Sequence, residues 1–219
     1  MSAVNTKWIL AGVAAAIAAA IAFATRKASA IPMPACNDTI SAVHHGGTRS
    51  LSNLRLIVLH STEGRTARGA AGWFANPDSA GSAHVVVDDQ ECYRTLPDSL
   101  IPWGAKGGDA NENGLHIEIA GFAADNPTTG DKAFTRDEWL SHMARLRKAA
   151  SVVWAWGKMY GIPMRFVDAA GLLRGESGVT SHYEITKAYH AGDHIDPGKA
   201  FPYDVMMNLL GSNAYGYVA

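Results

Sequence analysis

Two histidines and one aspartate in this chain have the residue types of a catalytic metal site. His60 ends an apolar run, and His182 and Asp196 lie together in a later segment that is dense in His, Asp and Gly. A catalytic zinc ion takes three protein ligands and leaves one position for water, and histidine nitrogen with aspartate oxygen is a suitable ligand set. The chain holds nine histidines, and for any one of them a surface or hydrogen-bonding role is the default. Spacing alone therefore leaves both interpretations open.

The elements around these residues predict one α/β domain over residues 54–212, followed by a tail, 213–219. LRLIVLH, residues 54–60, is a β-branched apolar run of strand length that places His60 at its end. The segment 165–200 has little regular pattern and is typical of loops that carry a site. Further strands are predicted within 83–89, 91–96 and 114–122, and helices over 66–75, from Thr135 to before Gly161, and over 202–211.

The segment GLHIEIAGF, residues 114–122, alternates between apolar and polar positions. In a strand, successive side chains point to opposite faces of the sheet. One face therefore carries the apolar residues, and the other carries His116 and Glu118. Glu118 is expected to face away from the apolar layer.

Residues 1–30 have the pattern of an export element. Lys7 precedes an uninterrupted apolar stretch from Trp8 to Ala24, and Ala28-Ser29-Ala30 is typical of a signal-peptidase site. The length of the stretch lies between that of a signal core and that of a membrane span. We therefore expect either a cleaved signal peptide or a signal anchor that tethers the chain to a membrane through residues 8–24. In both cases the protein is secreted or extracytoplasmic.

Composition narrows the class of partner. Hydrophobic residues make up 47% and charged residues 18% of the chain, which is ordinary globular composition. The formal net charge of −1 gives no basic footprint, so we expect no nucleic-acid partner.

Residues 31–53 are rich in Pro, Gly, Ser and Asn and are predicted to form a lead-in arm. Cys36 and Cys92 could form one disulfide in an oxidising compartment, and two buried free thiols are the alternative.

Five segments resemble the successive motifs of a known enzyme family. They are IVLHST, GSAHVVVDD, GLHIEIAG, TSHYEIT and HIDPGKAFPYD. They resemble the type 2 N-acetylmuramoyl-L-alanine amidases, a family that also contains phage lysozyme-type amidases and peptidoglycan recognition proteins. The match runs from about Leu54 to Leu210, and SHYEIT with DHIDPG is most similar to endolysins of actinobacterial phages. The resemblance implies a single mixed β-sheet flanked by helices, and zinc-dependent hydrolysis of the amide bond between N-acetylmuramic acid and L-alanine in peptidoglycan.

The resemblance also assigns roles to individual residues. The positions of the family's zinc ligands are occupied by His60, His182 and Asp196. Glu118 matches a carboxylate that acts on the zinc-bound water or orients the site, and an exposed strand glutamate in a salt bridge is the alternative. His194 stands where many relatives place a lysine that stabilises the oxyanion, and an imidazole can donate a hydrogen bond there.

Three more residues are candidates for substrate binding. His84 is expected either to line the groove or to lie in the interior. Trp103 could offer an aromatic platform to sugar or peptide, and Asn113 could hydrogen-bond a stem peptide, although packing and turn roles are the commoner outcomes. Phage lysozyme-type relatives carry a tyrosine where this chain has Ala83. The tyrosine-dependent version of the mechanism is therefore excluded.

Two other functions are compatible with the sequence. One is a recognition module that binds peptidoglycan without cutting it, although the usual mark of such modules is a lost zinc ligand. The other is an endopeptidase that cuts within the stem peptide. GESG, residues 175–178, does not complete a serine-hydrolase motif, and no His-Glu-x-x-His helix is present. We expect a monomer that acts on peptidoglycan.

Overall fold

Six strands form one sheet, and its two longest strands, Leu56–Ser61 and Gly114–Ile119, run parallel to each other. The structure, a computed structural model, describes residue 36 and residues 38–211. The strands are β1 Asp38–Thr39, β2 Leu56–Ser61, β3 Val85–Val87, β4 Cys92–Arg94, β5 Gly114–Ile119 and β6 Gly178–Ser181. Their order is β1-β4-β3-β5-β2-β6. Among these strands only β3 and β4 pair antiparallel, so the sheet is mixed, as predicted.

Helices lie between and after the strands. Within the described residues the α-helices are α1 Ala67–Phe74, α2 Arg136–Ser141, α3 Met143–Tyr160, α4 Ala169–Leu173, α5 His182–Tyr189 and α6 Tyr203–Gly211. The side chain of Thr66 accepts a hydrogen bond from Gly69 N and caps α1. Thr135 and Glu138 form a capping box at the start of α2.

The two faces of β2 and β5 bury different side chains. Ile57 and Leu59 belong to the largest apolar cluster, together with the fully buried Trp139 and Trp156. The opposite face of β2 carries Leu56 and Val58, which pack in a second cluster. Because side chains alternate, His60 continues this second face at the end of the strand.

The long helix predicted from Thr135 is divided in the structure. It breaks at His142, whose φ of −103° and ψ of 44° are not helical. The carboxylate of Asp89, in the turn between β3 and β4, accepts hydrogen bonds from His142 Nδ1 at 2.8 Å and from Arg145 N at 3.1 Å. The carboxylate of Asp89, outside the helix, thus caps α3. The helical spacing of apolar residues in the sequence carries no sign of this contact.

The segment 165–200 is more regular than predicted. It contains α4, β6 and α5, where the sequence indicated loops. β6 is only four residues long, and its sequence GVTS shows no apolar alternation. It is a strand because it pairs with β2 from Leu56↔Gly178 to Leu59↔Ser181.

The lead-in arm is attached to the sheet. Its residues Asp38 and Thr39 form β1, which pairs parallel with β4. Cys36 is bonded to Cys92 of β4, with their Cα atoms 4.5 Å apart. The disulfide is thus the alternative that the structure supports, and it fixes the arm, which contributes the edge strand β1, beside β4.

We expect this disulfide to contribute substantially to stability. It closes a sequence separation of 56 residues, and loops of this size give about 2–4 kcal/mol through restriction of the unfolded chain. Cys36→Ser should therefore lower the free energy of unfolding by that amount in urea titrations. Cys36 is the partner to replace, because it is half-buried whereas Cys92 lies in the main apolar cluster. A reductant that destabilises the variant as much as the native protein would contradict the assignment.

Two of the sequence predictions lie outside the described residues. They are the signal peptide or anchor within residues 1–30 and the tail 213–219. Within the described residues, none of the helices combines the length and apolar character that spanning a bilayer requires.

Candidate metal centre

Parallel strand ends bring the first site residues together. β2 pairs in parallel with both β5 and β6, and the carboxyl ends of parallel strands meet at one edge of a sheet, where open α/β sheets bind ligands. His60 stands opposite Glu118 in the register of β2 and β5. His182 directly follows Ser181, the last residue of β6, and opens α5.

A loop after α5 supplies Asp196. The backbone amide of Tyr183 donates to the carbonyl of Asp196 at 2.9 Å, which ties this loop to the first turn of α5. Ser181 caps that turn by accepting a hydrogen bond from Glu184 N. Asp196 is therefore brought next to His182 through backbone contacts, and its side chain is buried.

The three expected metal ligands converge in the structure. Asp196 Oδ2 lies 3.0 Å from His60 Nδ1, and Asp196 Oδ1 lies 3.1 Å from His182 Nδ1. One potential ligand atom from each residue lies within 4.8 Å of the others, and all three residues are buried. These residues could hold a metal ion with two nitrogen ligands and one oxygen ligand.

The charge states in this group suit a metal. Burial opposes ionisation of Asp196, but hydrogen bonds from His182, His194 and His60 hold its pKa well below the usual value. Burial lowers the pKa of His60, and its contact with Asp196 opposes that shift. A neutral imidazole and an ionised carboxylate are the forms that bind metals.

Glu118 lies beside this group without a partner of its own. Among the described residues, no group hydrogen-bonds to its buried Oε2 atom. Burial raises the pKa of Glu118 well above its usual value, and the charges of Asp196 and Glu63 add to the shift. Glu118 lines the same groove as the three expected ligands. An unpartnered carboxyl group there is available to exchange a proton with a bound molecule.

His194 and Trp103 lie at the edges of the groove. The side chain of His194 is 60% exposed, its Nδ1 lies 3.5 Å from Asp196 Oδ1, and its ring stacks on His182 at a centroid distance of 4.4 Å. The hydrogen bond with Asp196 raises the pKa of His194. Trp103 is 45% exposed and stacks on His44 at 5.0 Å. The groove has a volume of about 880 Å³, and both residues line it.

Two predicted substrate contacts lie elsewhere. His84 is fully buried and does not reach the groove; its Nδ1 accepts a hydrogen bond from His116 N at 3.0 Å, so the interior alternative is the one that the structure supports. Asn113 lies at the opposite end of β5 from Glu118. Its side chain donates to Asp109 Oδ2 at 2.6 Å, and its carbonyl accepts from the β2 backbone, which is a turn role.

Sequence reasoning missed three residues that shape the groove. Trp73, 52% exposed, lines the groove through α1. Asn111 accepts hydrogen bonds from the backbone amides of Gly104 and Ala105 and so fixes the loop that carries Trp103. His116 lies directly behind His60. Only His116 had a signal in the sequence, because alternation placed it on the same face as Glu118.

Comparisons with known proteins agree with this geometry. A family model described as N-acetylmuramoyl-L-alanine amidase matches residues 50–199. N-acetylmuramoyl-L-alanine amidase A of Achromobacter lyticus is 26% identical over 156 residues, which cover 70% of this chain and 81% of that protein. N-acetylmuramoyl-L-alanine amidase XlyA of Bacillus subtilis is 36% identical over 90 residues, which cover 38% of this chain but only 29% of XlyA.

Solved structures show the same fold. The Staphylococcus aureus hydrolase AmiA, solved in complex with its ligand, aligns with a TM-score of 0.61 at 20% identity and covers 82% of each chain. The catalytic domain of XlyA aligns with a TM-score of 0.50 at 19% identity, covering 79% of this chain and 93% of that one. With the family model matching most of the chain, this protein belongs to the type 2 N-acetylmuramoyl-L-alanine amidase family.

Proposed function

We propose that this protein hydrolyses the amide bond between N-acetylmuramic acid and L-alanine in peptidoglycan, with a zinc ion bound by His60, His182 and Asp196. The observation that carries the proposal is the convergence of these three buried side chains beside the unpartnered Glu118, in an open groove. The names of the two curated amidases support the choice of substrate.

The three residues fit zinc by type and by spacing. Zinc takes histidine nitrogen and carboxylate oxygen at about 2.0–2.2 Å, so ligand atoms of a tetrahedral site lie roughly 3.4 Å apart. The two histidine nitrogens lie 3.0 Å and 3.1 Å from the Asp196 carboxylate, each from a different oxygen, and one potential ligand atom from each of the three residues lies within 4.8 Å of the others. Three protein ligands, as opposed to four, are the pattern of a catalytic site.

Each groove residue has a task in the hydrolysis. When bound, zinc acts as a Lewis acid that polarises the amide carbonyl and lowers the pKa of water. Glu118 accepts a proton from the attacking water and returns it to the amide nitrogen as the carbon–nitrogen bond breaks. His194 donates a hydrogen bond to the oxygen of the carbonyl, where negative charge develops.

The exposed aromatic rings support a substrate with sugar and peptide parts. Trp103 and Trp73 both line the groove, and both rings are about half exposed. A large exposed aromatic surface is costly in water and is typical of a contact site. Of the two roles that the sequence leaves open for Trp103, we assign the platform role, with Trp73 as a second contact.

The location that we propose is extracytoplasmic, either secreted or anchored through residues 8–24. The apolar N-terminal stretch supports it. The disulfide between Cys36 and Cys92 supports it independently, because disulfides persist in oxidising compartments.

Mass spectrometry of digested cell wall tests the bond that is cut. Purified sacculi incubated with the zinc-loaded protein should release peptides with new L-alanine amino termini and no new reducing-end sugars. The chelator-treated protein is the matched control and should release neither. New amino termini at other stem residues would assign an endopeptidase, and binding to sacculi without any release would assign a recognition module.

A further inference from the structure

A second buried histidine stands behind His60. His116 lies on β5, on the same face as Glu118, and is fully buried. Its Nδ1 lies 3.0 Å from Nε2 of His60, on the side of that ring away from Asp196. Its Nε2 lies 2.9 Å from the carbonyl oxygen of Ala110. The carbonyl, His116, His60 and Asp196 therefore form one line of contacts.

The carbonyl at the start of this line sets the position of each proton. A carbonyl oxygen can only accept, so Nε2 of His116 carries a proton and donates it. A buried imidazole is neutral, so Nδ1 of His116 then has none and accepts from Nε2 of His60. In the zinc-loaded protein a neutral His60 with its proton on Nε2 presents the lone pair of Nδ1 to the metal, whereas in the metal-free protein Nδ1 donates to Asp196.

We propose that His116 is a positioning residue that fixes the ring orientation and the tautomer of His60, so that Nδ1 of His60 faces the metal. The inference rests on the zinc site proposed above. Outer partners of this kind orient metal-binding histidines, and their loss typically lowers metal affinity 10- to 100-fold.

Two glycines show that the backbone is built around the His116 ring. A Cβ atom added at Gly104 would lie 2.2 Å from His116 Nδ1. A Cβ atom added at Gly114 would lie 2.2 Å from the carbonyl oxygen of Ala110 and 3.2 Å from His116 Nε2. Any side chain at either position would displace the ring or its acceptor. The absence of both side chains leaves room for His116 in the one position that reaches both partners.

His84 holds the backbone of the same residue. The amide of His116 donates to His84 Nδ1 at 3.0 Å, and His84 Nε2 contacts the carbonyl oxygen of Leu100 at 3.1 Å. His84, the histidine of the GSAHVVVDD motif, thus supports the site by holding the backbone of β5 and not by contacting the substrate.

Zinc affinity, measured by competition with a chromogenic chelator, tests the inference on the full chain. His116→Leu removes the acceptor but keeps apolar volume, and its affinity for zinc should fall 10- to 100-fold. In His116→Asn the amide oxygen can take the place of Nδ1, so this variant should keep most of the native affinity. A role in packing alone predicts the reverse order, because leucine fills the buried space better than asparagine.

A second variant leaves the His116 side chain in place. Gly104→Ala should displace the ring and weaken zinc binding as His116→Leu does. Gly72→Ala is its control, because a Cβ atom at Gly72 meets no other atom within 4 Å, and it should bind zinc as the native protein does. Urea unfolding of the metal-free variants shows whether each one is folded before its affinity is compared.

Histidine nitrogen chemical shifts of the native zinc-loaded protein give a test that needs no variant. We expect His116 to carry its proton on Nε2; a proton on Nδ1 alone would overturn the inference, as would equal zinc affinities for the native protein and His116→Leu. If the native protein itself binds no zinc, the proposed function fails and the inference fails with it. Native binding that His116→Leu leaves unchanged overturns the inference alone.

Discussion

Asp196→Ala should abolish zinc binding and amide hydrolysis together. The Asp196 carboxylate lies within 3.1 Å of both His60 Nδ1 and His182 Nδ1, one oxygen toward each. Its removal leaves two histidine ligands, which are too few for a catalytic site and supply no negative charge to it. Zinc content after dialysis and release of L-alanyl peptides from sacculi are the two measurements, and both should fall to the background.

Asp193→Ala is the matched control for this prediction. Asp193 is an exposed carboxylate in the same loop and is not one of the groove-lining residues. Its replacement should leave zinc content and hydrolysis at the native level. An Asp196→Ala protein that is active and free of zinc would falsify the assignment of the metal site.

Glu118→Gln should lower the rate of amide hydrolysis while leaving zinc affinity unchanged. The amide has the shape of the carboxyl group but cannot accept a proton, and removal of a general base typically lowers the rate by about 10²- to 10⁴-fold. Zinc affinity should stay near the native value, since Glu118 is not one of the three converging ligands. Turnover of a soluble muropeptide and zinc titration measure the two effects. Glu112→Gln, at an exposed position just before β5, is the control and should change neither.

The same substitution should stabilise the metal-free protein. Because burial raises the pKa of Glu118 in the folded state above the unfolded value of 4.5, the ionised carboxylate destabilises the fold at neutral pH. Glu118→Gln removes that cost, so its free energy of unfolding should exceed the native value near pH 7. The difference should shrink as the pH falls and should vanish below 4.5, where the native group is protonated in both states. Near-native turnover together with unchanged stability would reduce Glu118 to a scaffold residue.

The sequence predicts those parts of the fold that apolar pattern determines. β2 and β5 are continuous apolar or alternating runs, and the structure places them within one or two residues of the predicted start. β6 could not be found in this way, because its four residues GVTS contain only one apolar side chain and become a strand through pairing with β2. The break at His142 was hidden for a similar reason, since its cap comes from Asp89 in a distant turn.

The candidate site was predictable in residue type more than in arrangement. His60 follows from its strand, whereas the approach of Asp196 to His182 depends on a backbone hydrogen bond from Tyr183 across a loop. The resemblance to amidase motifs indicated that His182 and Asp196 belong to the same site as His60, which the spacing of these residues did not. His84 and His116 show the limit of both approaches, because a buried histidine and a groove histidine look alike in sequence, and only the three-dimensional contacts distinguish them.

The order of strands also determines when this protein can fold during synthesis. β2 is the central strand that carries His60, yet both of its neighbours, β5 and β6, come later in the chain. A nascent chain can pair β2 with β5 first, but the other edge of β2 stays unpaired until β6 has emerged, and long-range parallel pairing of this kind is slow. Asp196 emerges later still. With Asp196 as a proposed metal ligand, we expect the growing chain to gain hydrolytic activity only after almost all of its described residues have been made.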